Sequence, residues 1–170
     1  MKTNRKSLIL LGFKSAFSLL LLFILTVIVH EGAHYIAALI LGIPIAHFTW
    51  FDPNYFAPAF FSGSIEHTTK MTIVSYAGGL VTGLLLLSIL FFKRSWFKQS
   101  LYRWLLGFYI AMFGFWEICQ GILEGAFHQV YIHNATNLLF SPIHYIGYAS
   151  ALLGMALYWV FMPRLKQLRI

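Results

Sequence analysis

Residues 15–41 read SAFSLLLLFILTVIVHEGAHYIAALIL. The run exceeds the ~20 apolar residues that a membrane helix needs, yet it carries His30, Glu31 and His34. Three ionisable side chains within five positions are costly in hydrocarbon and are rarely kept there without a use. The pattern is H-E-x-x-H. On a helix His30 and His34 stand one turn apart on one face, so two imidazoles can reach one metal ion. Glu31 lies beside them, where it can take a proton from a water on that ion.

Composition agrees with the membrane reading. Of the residues, 59% are hydrophobic and only 10% are charged, which sets the chain apart from ordinary globular domains. One cysteine, Cys119, rules out an internal disulfide and a cysteine-built metal cluster. The net charge of +7 is not a nucleic-acid signature here, because the basic residues flank apolar runs as membrane anchors do.

Four membrane segments are expected, at about Ser15–Leu41, Met71–Phe92, Trp104–Ala126 and Asn137–Met162. Lys2, Arg5, Lys6 and Lys14 precede the first. Lys93, Arg94, Lys98 and Arg103 lie between the second and third, and Arg164, Lys166 and Arg169 follow the fourth. Four crossings put these groups on one side, so both termini are expected in the cytoplasm of a multi-pass protein of the cell membrane. Lys14 interrupts the start, and no small-residue cleavage site is clear, so the first segment reads as an uncleaved anchor. In this topology His30, His34, Gly78, Gly79, Glu124, His128 and His144 all fall in the outer half of the membrane or beside it.

A zinc site needs a third protein ligand and an open position. The third segment carries Glu117, Gln120, Glu124 and His128 along one helical face. Glu124 is the preferred third ligand and His128 its competitor. Gln120 fits an interhelical hydrogen-bond seam. Glu117 lies two turns deeper than Glu124, about 10 Å along the axis, and fits a group behind the ligands or a buried protonated acid. His144, after Pro142, reads as an interfacial histidine; His47, His67 and His133 read as loop histidines. Glycines at 79 and 83, at 107, 114 and 121, and at 147 and 154 give small faces on which membrane helices approach closely.

Residues 42–70, GIPIAHFTWFDPNYFAPAFFSGSIEHTTK, are too aromatic for a solvated loop, and three prolines argue against one continuous helix. The runs His47–Phe51 and Phe56–Phe61 fit short strands or a re-entrant hairpin. An aromatic belt anchored at the headgroups is the competing reading. A strand edge here would suit an extended peptide. The fold class is thus an all-α membrane protein of about four transmembrane helices, with a re-entrant or β-hairpin segment after the first.

Taken together, His30-Glu31-Gly32-Ala33-His34, Ser75-Tyr76-Ala77-Gly78-Gly79-Leu80 and Leu123-Glu124-Gly125-Ala126 resemble, in order, the three motifs of the site-2 protease family of intramembrane zinc metallopeptidases. The second resembles the glycine-rich A-G-P-type motif. The third resembles an L-D-G-G motif whose aspartate is the third metal ligand; here glutamate stands at 124, and the chain's one aspartate, Asp52, lies elsewhere. The resemblance implies Zn²⁺ on His30, His34 and Glu124, with Glu31 as general base. It implies hydrolysis of peptide bonds in a membrane protein or in a peptide at the interface. A catalytically inactive relative, serving as a membrane scaffold or partner-binding protein, is the alternative expectation.

Overall fold

The computed structural model describes residues 5–52, 57–62, 69–127 and 142–162. Helix α1 (Arg5–Leu41) is followed by strands β1 (Ile45–Asp52) and β2 (Ala57–Ser62). Helices α2 (Thr69–Phe92), α3 (Arg94–Phe97), α4 (Leu101–Ala126) and α5 (Pro142–Phe161) complete the order. Lys6–Leu41, Thr69–Phe92 and Leu101–Ala126 are long and apolar enough to cross a membrane. Helix α5 is apolar too, but its Tyr145–Phe161 stretch is shorter. The expected start of that segment at Asn137 lies outside the described residues. Rows of large apolar side chains such as Phe13, Phe17, Leu84, Leu152 and Val160 face outward, as suits a lipid solvent, while the helices satisfy their own backbones.

Helix α1 ends because Gly42 adopts a left-handed φ of 65°. The Gly42 N–H donates to Leu39 O at 3.2 Å and the Ile43 N–H to Ala38 O at 2.9 Å. These two bonds cap the last carbonyls in the manner glycine favours at a helix end. Pro44 then bars a return to helix. The aromatic segment forms an antiparallel hairpin, with Ile45 opposite Ser62, Phe48 opposite Phe60 and Thr49 opposite Ala59. The hairpin folds back against α1. At the same end Lys70 Nζ donates to Leu41 O at 2.9 Å, placing a cation on the negative end of the α1 dipole.

Helices α2 and α4 form the most extensive pairing, and glycine is the reason. A Cβ on Gly79 would lie 2.6 Å from the Cα of Gly121, and one on Gly121 would lie 2.6 Å from Leu80 N. The two backbones touch, which only small residues allow. Gly83 and Gly114 continue the seam toward the basic end. Helix α5 packs on the far part of α4 through Trp104, Ala111, Tyr158 and Met162, and Tyr158 Oη donates to Trp104 O at 3.0 Å.

Helix α1 is joined to α4 by polar fastenings and to α2 by apolar packing. Ser18 Oγ and Tyr102 Oη lie 2.7 Å apart, and Ser15 is bonded to Tyr109. Leu22 packs against the cluster of Leu86, Phe97 and Ile110. Toward the hairpin end, Ala38, Ile43, Met71 and Val74 form a second apolar cluster. Between these two clusters lies a layer of buried polar side chains.

Candidate metal centre

Three helices build that layer. His30 and His34 come from one face of α1, Gly78 from α2, and Glu117, Gln120 and Glu124 from one face of α4. Both histidines and Glu117 are buried.

The ring nitrogens divide the work. His34 Nδ1 lies 2.6 Å from the carbonyl of Val74. A carbonyl only accepts, so Nδ1 carries the proton and donates. His30 Nδ1 lies 2.6 Å from Glu117 Oε2 and likewise donates to that carboxylate. In each neutral ring the other nitrogen, Nε2, therefore presents a lone pair. These two nitrogens face one another at 3.1 Å, and Glu124 Oε2 lies 3.3 Å from each. Three acceptor atoms thus meet at the corners of a nearly equilateral triangle. Glu124 Oε2 is within ion-pair distance of both rings yet is a buried oxygen that accepts no hydrogen bond. The tautomers explain this: neither Nε2 has a proton to give.

Three facing acceptors repel unless something positive lies among them. For a tetrahedral zinc with ligand bonds of ~2.0–2.1 Å, neighbouring ligand atoms are separated by about 3.3–3.4 Å. The observed edges of 3.1 and 3.3 Å fit that figure. Among the described residues, His30, His34 and Glu124 form a group able to hold a metal ion. Gly78 lies against both imidazoles. A Cβ built on it would lie 2.7 Å from His30 Nε2 and 2.6 Å from His34 Cε1, so only glycine leaves room there.

The outer contacts hold the donors in place. Glu117 fixes the His30 ring, Val74 O fixes His34, and Gln120 Nε2 donates to Glu124 Oε1 at 3.1 Å. Metal-binding histidines and carboxylates are ordinarily oriented this way. Glu31 is half-buried beside His30.

Of the residues read from the sequence, the structure brings His30, His34 and Glu124 together. Glu117 takes the place behind the ligands, and Gln120 bonds within α4 to Glu124 instead of across helices. His128, the competing third ligand, lies outside the described residues, as do His67 and His133. His144 falls in the first turn of α5 and His47 in β1. Val74 went unnoticed, because a backbone acceptor leaves no trace in a sequence. Comparison with protein-family models, with curated proteins and with solved structures gives no match.

Proposed function

We propose that this chain is a small membrane-embedded zinc metallopeptidase similar to the site-2 proteases. The observation that carries the reading is the convergence of His30 Nε2, His34 Nε2 and Glu124 Oε2 at 3.1–3.3 Å within an apolar bundle, with Glu31 the next residue after His30 on α1. His30, His34 and Glu124 hold the ion. When bound, zinc supplies Lewis acidity: it draws the pKa of a coordinated water toward ~7 and polarises a carbonyl oxygen. Imidazole and carboxylate donors also accept other first-row metals, so metal content is part of the test.

The protein's own groups do the rest. Glu31 accepts the proton of the attacking water and passes it to the departing amine. Glu117 keeps His30 in one tautomer, and Gln120 holds Glu124 with one oxygen turned toward the histidines. The low-dielectric surroundings strengthen each of these interactions. The substrate is a membrane segment or interfacial peptide, unwound near the site to expose its backbone. With the basic stretches in the cytoplasm, the centre lies in the outer half of the membrane, and α5 forms a fourth span.

Glu31→Gln tests the assignment. In proteoliposomes offered transmembrane peptides with a glycine or proline break, zinc-loaded wild type yields fragments detectable by mass spectrometry. The variant keeps about one zinc per chain and yields none. Equal cleavage by the variant removes Glu31 from its role. If deleting the chain from its host causes a defect, rescue of that defect by Glu31→Gln would instead support the non-catalytic scaffold.

A further inference from the structure

One turn below the metal centre lie two threonines that its chemistry does not use. Thr26 is 3% exposed and Thr82 is 1% exposed. Neither hydroxyl has a hydrogen-bond partner among the described residues. In a bundle surrounded by hydrocarbon, water outside cannot satisfy them, and an unpaired buried hydroxyl is unfavourable.

Helix register places the two together. Helices α1 and α2 run antiparallel. His34 meets Val74 O, and His30 meets Gly78. One further turn along each helix brings Thr26 opposite Thr82, on the faces that carry the histidines and Gly78. Glycines fix the α2–α4 register in the same way. Gly79 lies against Gly121 and Gly83 against Gly114, so Glu117 stands level with Thr82. The layer is closed on its basic side, where Leu22 packs on Leu86, Phe97 and Ile110. One turn above it lies the His30–Glu117 pair.

We infer that Thr26 and Thr82 hold an internal water molecule beneath the metal centre, with the Glu117 carboxylate as its third partner. Three polar partners are what a buried water typically has. Each hydroxyl can donate to the water oxygen or accept from the water, and a carboxyl oxygen of Glu117 can accept from it. The hydroxyls do not reach one another, so a bridging molecule satisfies both where direct contact does not. The water binds on the side of Glu117 away from the metal ligands. It is therefore a fixed part of the structure, distinct from any water consumed in hydrolysis, and it stands whether or not the centre cleaves peptides.

Threonine-to-valine replacements keep shape and remove only the hydroxyl, so the sign of their effect is diagnostic. With the metal-loaded full chain in detergent, Thr26→Val and Thr82→Val should each lower Tm by about 3 °C or more, because the water loses a partner. Thr82→Ser, which keeps the hydroxyl, should lie closer to wild type than Thr82→Val does. The double valine variant releases the water and leaves neither hydroxyl behind, so it should lose less than the two single variants added together. A map that resolves waters should show one within hydrogen-bond reach of both Oγ1 atoms in wild type and none in the double variant. A rise in Tm in both single variants would mean the hydroxyls are truly unpaired. Strict additivity with no water in the map would mean each threonine bonds its own helix backbone. Either result overturns the proposal.

Discussion

Gly78→Ala puts the metal centre to a sharp test, because the added atom is aimed at the ligands and not at a backbone. Its Cβ would lie 2.7 Å from His30 Nε2 and 2.6 Å from His34 Cε1, where ordinary contact begins at 3.4 Å. The His30 ring must withdraw by about 0.7 Å and the His34 ring by more, which spreads the donor triangle beyond the ~3.3–3.4 Å edge of a tetrahedral site. Perturbing a single outer-contact residue already weakens metal binding 10–100-fold. Displacing the donors themselves should weaken zinc binding by at least ~100-fold, or about 2.7 kcal/mol. The fold should survive, since alanine is favoured over glycine in a helix by up to ~1 kcal/mol and the rings can turn aside when no ion holds them. The assay is chelator competition for the zinc Kd, with Tm of the metal-free protein as control, expected within ~3 °C of wild type. If Gly78→Ala binds one zinc per chain with a Kd within about threefold of wild type, a difference of only ~0.7 kcal/mol, the centre is not where these distances put it.

Three further outcomes follow from the same geometry. Glu117→Gln retains a hydrogen-bond acceptor for His30 but replaces the carboxyl group with a weaker acceptor, so zinc affinity should fall about 10–100-fold with stoichiometry restored at high zinc; unchanged affinity would show that the 2.6 Å contact does not support the ligand. Gly79→Ala drives a methyl into the α4 backbone, 2.6 Å from Gly121 Cα, and should lower Tm by several degrees, on the order of 2 kcal/mol, in contrast to Gly78→Ala. Metal content should fall in Glu124→Ala and persist in His128→Ala; the reverse pattern would move the third ligand to 128.

Much of the centre was legible in residue spacing. Two histidines four apart must share a helical face, and the three- and four-residue steps from Glu117 to Glu124 put those acids on another. The place of Glu117 behind the ligands was one of two readings, and its direct bond to His30 was not legible. Glu117 and Glu124 are separated by about 10 Å along α4, which placed Glu117 away from the ligands. The structure lets both reach one ring because His30 presents a different nitrogen to each. Axial distance between backbones does not limit what two long carboxylates and an imidazole can span. The aromatic segment was ambiguous because aromatic anchoring and strand formation favour the same residues; hydrogen-bond register resolves it into a hairpin. Thr26 and Thr82 gave no signal, since lone threonines are unremarked in apolar helices. They gain meaning only when register places them opposite each other.

The ligands also impose an order on the birth of this protein. His30 and His34 belong to the first helix made, whereas Glu117, Gln120 and Glu124 belong to α4. At ~5–20 residues per second, the ribosome needs several seconds to travel from one set to the other. During that interval the two imidazoles have neither carboxylate, and Gly78 arrives before either acid does. On the proposed reading, the complete group of His30, His34 and Glu124 cannot form until α4 has joined the bundle, so a bound metal would be completed at the end of the chain's maturation and not during insertion of α1.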